Sequence, residues 1–436
     1  MASNSKNIAE LLNGDTTLTA TDIANDAVTA DKIATGAVVA DGLGAGSVTV
    51  TALGAGSVTA TKLGASAVTT AKLGAGSVTN AKIADTVNLG RRNLIINGAM
   101  QVAQVGSFTI STSGSPEYGG PDRFHMWSYT STEQVTAEIS KSTVGGTPTG
   151  FADTYRIDVL TAESSVAAGE SLVFAQYIEA QNCQHLEYGT SDAKSVTMSF
   201  WIKTSVTGTY CFFLQNSDGD RIQVKEYTVN SADTWEKKII TIPGDASGTI
   251  NNDNGRGLWC GWVLMAGTDR HGSKDAWRTT GADYATSSQV NAVHSTANNI
   301  YITGVQLEVG DTATAYEHLS YAEELSACQR YFQKSKSGTP TQNSFGGHQI
   351  SVASGRDPQS VVYLNPTMRD TPTLTLYSAH GSGTSGQWYG AAFGGGFSSD
   401  ARAFGQSSRQ FILDNTDVGA STNGWAEIGW TSESEL

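Results

Sequence analysis

Charge is the scarcest ingredient of this sequence. Of 436 residues only 16% are Asp, Glu, Lys or Arg, and 41 carboxylates against 27 Lys and Arg leave a net charge of −14. Neutralising phosphates needs clustered Lys and Arg, so this balance argues against a nucleic-acid partner and against an anionic membrane surface. No run approaches the ~18 consecutive apolar residues of a membrane-spanning helix, so membrane insertion is not expected. Met1–Asn7 is polar and lacks an apolar core, an expectation against Sec-dependent secretion. Proline is rare, with 8 residues, and the 48 glycines have no three-residue period, which excludes a collagen triple helix. Cys183, Cys211, Cys260 and Cys328 are far apart with no Cys-x-x-Cys spacing, so they read as small buried hydrophobes kept reduced. The seven histidines are scattered, and neither a Gly-x-Ser-x-Gly elbow nor a His-Glu-x-x-His site is present.

Gly, Ser, Thr, Ala and Asn fill the space that charge leaves. Thr and Val suit pleated strands, and Gly and Asn supply turns, so the chain reads as mainly β. Its length suggests two or three domains.

Thr16–Asp85 repeats every ten residues. Position three of each unit is Leu18, Val28, Val38, Val48, Val58, Val68 and Val78, and position eight is Ile23, Ile33, Leu43, Leu53, Leu63, Leu73 and Ile83. A five-residue spacing of apolar side chains fits neither the helical 3.6 nor the strand period of 2. With no aromatic residue, one copy does not offset its own ordering entropy. Three parallel copies would stack Val28, Ile33, Val38, Leu43, Val48, Leu53, Val58, Leu63, Val68, Leu73, Val78 and Ile83 in layers on a shared axis, forming a trimeric shaft over 16–90. A disordered linker and a single-chain solenoid are the competing readings. Gly44-Ala45-Gly46-Ser47 mimics a dinucleotide fingerprint, but it recurs with the repeat and follows no strand. Ahead of the repeat, Ser5 caps a short helical candidate that carries Ile8, Leu11 and Leu12 on one face and stops at Gly14. Residues 1–15 are therefore the expected anchor to a larger particle, with a frayed terminus as the alternative.

From Arg91 to Ala315 aromatic residues enter and strands are expected at Thr154–Leu160, Ser195–Lys203, Thr209–Gln215, Ile222–Val229, Trp235–Ile242, Gly257–Met265 and Asn299–Leu307. Such spacing indicates a β-sandwich. Asn93-Leu94-Ile95-Ile96-Asn97-Gly98-Ala99-Met100, Ser199-Phe200-Trp201-Ile202-Lys203 and Tyr301–Gly310 resemble the opening, central and closing strands of galactose-binding-like jelly rolls found in carbohydrate-binding modules. The same set continued by Glu324–Phe332 resembles many phage tail-fibre proteins. The resemblance implies a jelly roll over 91–315 with glycan affinity or a spacer role. Trp127, Trp201, Trp235, Trp259, Trp262 and Trp277 offer rings for sugar stacking, against the alternative that each packs core or interface. Asn216, Asp218 and Asp220 place oxygens at alternate positions as calcium loops do, but the twelve-residue pattern is incomplete, so an ordinary hairpin turn is expected. No cofactor or catalytic metal is expected; related jelly rolls leave a structural calcium open.

Residues 316–335 are a helical linker candidate, in which Leu319, Ala322, Leu325, Ala327, Tyr331 and Phe332 mix apolar and polar positions. A small β tip domain follows over 336–436, with strands at Gln349–Ala353, Ser360–Leu364, Thr373–Tyr377, Gln410–Leu413 and Ala426–Trp430. Asn365–Thr373 and the ending Gly429–Leu436 resemble phage fibre C-termini. Between the strands, Gly386–Phe397 is rich in glycine and aromatics, and function concentrates on loops held by rigid scaffolds. Trp388, Tyr389, Phe393 and Phe397 are the candidate glycan contacts, supported by His380, Gln387 and Arg402; core packing is the alternative.

These readings assemble into an elongated trimeric fibre of a virion, made in the host bacterial cytoplasm. Its N-terminus would hold phage tail proteins, and its C-terminal part would meet host polysaccharide or lipopolysaccharide. Adhesion without catalysis is the expected function. A glycosidase-type depolymerase would need two carboxylates flanking a bond, and a purely structural fibre would need no site.

Overall fold

The computed structural model describes residues 91–110, 114–129, 136–142, 146–279, 281–335, 347–378, 386–415 and 420–436, with 29–33, 57–59, 61, 63, 67–69 and 73 of the repeat. The chain divides into two compact units, Met1–Thr79 and Asn80–Leu436.

In the first unit the described residues form one short 3-10 turn at Ala30–Lys32. Ile33, Val58, Leu63, Val68 and Leu73 are all exposed, by 43–53%. Five-residue spacing gives a single chain no face on which to bury them. The other shaft positions (Val28, Val38, Leu43, Val48, Leu53, Val78 and Ile83) and the anchor positions Ile8, Leu11 and Leu12 lie outside the described residues.

Among the described residues, the second unit opens with thirteen strands. They are β1 Phe108–Thr109, β2 Pro116–Tyr118, β3 His125–Tyr129, β4 Thr136–Ser142, β5 Thr154–Thr161, β6 Ser171–Glu179 and β7 Val196–Thr204. The rest are β8 Gly208–Asn216, β9 Arg221–Val229, β10 Glu236–Ile242, β11 Arg256–Ala266, β12 Arg278–Thr279 and β13 Asn299–Val309. One sheet has the order β1-β4-β5-β13-β7-β10 and the other β12-β9-β8-β11-β6-β3-β2. Between them Trp262 is fully buried, ringed by Phe212, Phe174 and Phe200 at 5.0, 5.4 and 5.6 Å between ring centroids. Burying one such side chain stabilises by roughly 1.5–3 kcal/mol. All nine residues of β6 are buried, because its outer face is covered as well as its inner one. A strand covered on both faces shows no alternation, which is why the sequence reading passed over it.

Asn93–Met100 is not the opening strand that the resemblance implied. Asn97 and Met100 take φ of 62° and 60°, which breaks extension. The segment is pinned beside β13 instead, by Leu94 N–H to the Leu307 carbonyl and Val305 N–H to the Gly98 carbonyl, each 2.9 Å. The Gln176 amide bridges the N–H and carbonyl of Ile96, both at 2.9 Å, in place of a strand neighbour.

The linker helix is shorter than expected. Helix α1 spans Tyr321–Gln329, entered through a capping box in which Ser320 Oγ accepts from Glu323 N–H and Glu323 accepts from Ser320 N–H. Phe332–Lys334 then leaves as strand β14, where the sequence reading continued the helix. The remaining strands are β15 His348–Val352, β16 Ser360–Tyr363, β17 Thr373–Ser378, β18 Gln387–Gly390, β19 Gly396–Phe404, β20 Gln410–Asn415 and β21 Gly424–Glu433. They make an eight-stranded sheet in which β14, β15, β17 and β18 all pair with β21. Trp388, Phe411, Leu413, Ile428 and Trp430 fill its core.

Glu433–Leu436 turns back onto the sandwich. Arg369 donates to the carbonyls of Ser434 at 2.7 Å, Glu435 at 2.9 Å and Asn254 at 3.0 Å. Arg123 pairs with Glu435, and Tyr118 Oη donates to the Leu436 carbonyl. Ser434–Leu436 therefore lies in the seam between the sandwich and the C-terminal sheet.

Candidate functional site

On β6, Leu172, Phe174 and Ile178 point inward while Val173 and Ala175 point outward. Register extends the outward row to the neighbouring strands. Trp259 of β11 lies opposite Tyr177 and Gln215, Gly261 lies opposite Ala175 and Phe213, and Trp127 of β3 lies opposite Val173. Cross-strand partners share a face. The outer side of the seven-stranded sheet therefore carries two tryptophans, packed against a buried cluster that includes Val173, Ala175, Phe213 and Tyr284. Gly261 must lack a side chain, because a Cβ there would meet the Phe213 ring at 2.2 Å.

The two indoles lie 5.6 Å apart and tilted by 54°. Both are half-buried, while Phe213 and Tyr177, against which Trp259 packs at 5.0 and 5.4 Å, are buried. The supporting rings fix the tryptophans and leave part of each to solvent. Behind Tyr177, the His125 ring stacks at 4.4 Å and 21°, and the Arg256 guanidinium lies 4.2 Å from the Tyr177 ring centroid. Burial, followed by Arg123 and Arg256, pushes His125 well below the usual imidazole range, so it is neutral. Rigid half-exposed indoles beside the Gln215 amide suit a flat ligand with one apolar face and hydroxyl edges.

A cavity of ≈ 250 Å³ near the seam is lined by Asn93, Gln176, Glu179, Tyr331 and seven others. Four of its polar side chains are already committed to the fold. Asn93 donates to the Val305 carbonyl, Gln176 holds Ile96, and Glu179 accepts from Arg330 and Tyr331. Burial alone would raise the Glu179 carboxyl, but hydrogen bonds from Arg330 and Tyr331 outweigh it and hold the group below its ordinary value.

Of the six tryptophans singled out in the sequence, the fold brings Trp127 and Trp259 together on one face and buries Trp262. Trp277 is half-buried, its indole N–H on the Pro243 carbonyl at 2.7 Å. The Asn216–Asp220 loop is a β8–β9 turn: Asn216 Oδ1 accepts from Gly219 N–H, and both Asp218 oxygens accept from Asn251. Among the described residues no group of three or more His, Cys, Asp or Glu is placed to hold a metal ion. All four cysteines are buried and unpaired. No described helix is long and apolar enough to cross a membrane.

In the C-terminal domain, Trp388 is corrected from ligand contact to core residue. It is fully buried, with its indole N–H donating to the Asp414 carbonyl at 3.3 Å. Strand alternation explains this, since Trp388 and Tyr389 are neighbours on β18 and must face opposite sides. Phe393 is half-buried against the same core, and Gln387 donates to the Ser398 carbonyl. Arg402 is ion-paired with Asp414 at 2.8 Å. Tyr389 and Phe397 remain half-exposed on the other face, 5.2 Å apart. Trp425 joins them there at 6.0 Å from Tyr389. The sequence reading missed it by starting the last strand at Ala426, two residues after its observed start at Gly424. His380 lies outside the described residues.

No protein-family model matches the sequence, and no curated protein does. Solved structures include a phage tailspike and several carbohydrate-binding modules among its structural neighbours. The enzymatically active domain of tailspike protein 4 of bacteriophage CBA120 is 14% identical with a TM-score of 0.28, over 50% of this chain and 21% of that one. The family 11 carbohydrate-binding module of Clostridium thermocellum, solved with a mixed-linked tetrasaccharide, is 14% identical with a TM-score of 0.23, over 49% and 99%. The module TmCBM61, solved with galactotriose, is 8% identical with a TM-score of 0.25, over 50% and 100%.

Proposed function

We propose that this chain is a phage tail-fibre subunit that adheres to a host surface glycan through its C-terminal unit and does not cleave it. The observation that carries this reading is the Trp127–Trp259 pair, two half-buried indoles 5.6 Å apart on the outer side of a β-sheet, at the edge of the cluster that covers it. A pyranose presents an apolar C–H face that an indole can cover while its hydroxyls keep polar partners. Among the described residues, the cross-strand neighbours Ala175, Tyr177, Phe213 and Gln215 carry no carboxylate, and glycosidic cleavage uses two.

The exposed Val and Leu positions of the repeat support a parallel homotrimer, whose partners are two further copies of the chain. Linking three weak sites raises avidity by roughly 10²–10⁴ without any new contact. Residues 1–15 join the fibre to tail proteins in this reading. The test is binding of the purified protein to host cells, together with an assay for new reducing ends in host polysaccharide. Binding without new ends is expected. New ends would replace adhesion by depolymerisation, and no binding would leave a structural fibre.

A further inference from the structure

The pairing registers of the C-terminal sheet set one row of side chains on its solvent face. Ser351 lies opposite Trp425, Gln349 and Tyr389 lie opposite Glu427, and Phe397 lies opposite Tyr389. Trp388, Ala426 and Ile428 fill the other side. Trp425, Tyr389 and Phe397 therefore stand together outward, with Trp425 38% exposed. The backbone is shaped around this indole. A Cβ on Gly390 would come within 2.2 Å of the Trp425 carbonyl oxygen and 2.7 Å of its ring Cε3. Beside the ring is a shallow, widely open recess lined by Ser351, Val352, Ala353, Asn423, Gly424 and Trp425.

The surroundings decide what fits. A protein partner would need a broad contiguous apolar core, but here a short aromatic row, with Trp425 its most exposed ring, is bordered by Gln349, Ser351, Asn423 and Glu427. Glu427 Oε1 accepts from Gly347 N–H at 2.6 Å, and its carboxylate disfavours an acidic ligand. Position matters too. Trp425 precedes Glu433, which borders the seam with the sandwich, by eight residues on one strand. At ~3.4 Å per residue that is about 27 Å away from the seam.

We propose that this face is a second carbohydrate site, separate from the Trp127–Trp259 pair, which takes an uncharged pyranose stacked on Trp425. It rests on the adhesin reading above and adds the ligand's charge class and a place for it. Tyr389 and Phe397 brace the indole, and Gln349, Ser351 and Glu427 meet the sugar hydroxyls.

The experiment uses the full-length protein on a printed array of bacterial surface polysaccharides, some uncharged and some bearing uronic acids. Wild type is expected to bind uncharged polysaccharides, and Trp425→Ala to bind them about tenfold more weakly. Ser351→Arg, which fills the recess from an exposed position without touching the core, is expected to do the same. Undiminished binding by both variants overturns this site while leaving the adhesin reading intact. Binding confined to uronate polysaccharides also overturns it. A wild-type protein that binds nothing on the array overturns both readings.

Discussion

Arg330 holds Glu179 in a two-pronged ion pair, Nε to Oε1 at 2.7 Å and Nη2 to Oε2 at 2.8 Å. The pair joins the end of β6 to the residue that follows α1, and so ties the sandwich to the start of the C-terminal domain. Glu179 has no exposed side-chain surface, whereas Arg330 is 31% exposed. Removing the cation leaves a buried carboxylate with only Tyr331 and Gln181 as donors. Arg330→Ala is expected to cost about 3 kcal/mol, the low end of the ~3–5 range for breaking a buried pair. Urea unfolding followed by tryptophan fluorescence measures it. A loss below about 1 kcal/mol would mean that the pair is solvated.

The same carboxylate sets an acid limit. Its folded value lies below the ordinary 4.5, so it contributes stability above that value. This contribution is lost as pH falls through the folded value, because only then does the native state take up the proton. Glu179→Gln is expected to be less stable at pH 7, with the gap to wild type closing at strongly acid pH. Thermal midpoints across pH 7 to 2 check this.

His125 acts in a different window. Its folded value lies well below 6.5, so only the unfolded chain binds the proton as pH drops below 6.5. Stability therefore falls with pH from that point down. His348, lowered by burial, adds in the same direction. His125→Phe keeps the stacking against Tyr118 and Tyr177. It is expected to flatten the slope of unfolding free energy between pH 6.5 and 5, and an unchanged slope would assign the effect elsewhere.

How much of this was legible in the sequence follows from what each strand covers. The hairpin β8–β9 was readable because Ser217-Asp218-Gly219-Asp220 carries turn chemistry between two apolar runs, and Asp220 takes the left-handed φ of 50° that such a turn needs. Strand β6 was not readable, since Ser171–Glu179 is buried on both faces and alternates nothing. The Gly-rich loop of the C-terminal domain was correctly marked as aromatic, but the face of each ring was not assigned. Whether Trp388 or Tyr389 reaches solvent depends on which neighbour pairs with Glu427, a long-range register that local pattern does not carry. The Trp127–Trp259 pair was missed as a pair for the same reason, because 132 positions separate two residues that adjoin across β6.

The repeat yields an oligomeric expectation. Val58, Leu63, Val68 and Leu73 are exposed in the single chain. Replacing all four by Ser is expected to lower the trimer's stability and make its dissociation measurable at micromolar concentration. Sedimentation of both proteins checks it; a wild-type monomer at that concentration would contradict the trimeric reading.

Adhesion through the sandwich face is the central claim, and the direct measurement is host-cell binding by the double variant Trp127→Ala/Trp259→Ala, with sedimentation and circular dichroism matching wild type. Each truncation of a well-packed contact tryptophan costs on the order of 2 kcal/mol of binding, so a fall of at least about a hundredfold in cell binding is expected. Binding equal to wild type by an intact double variant would contradict the account.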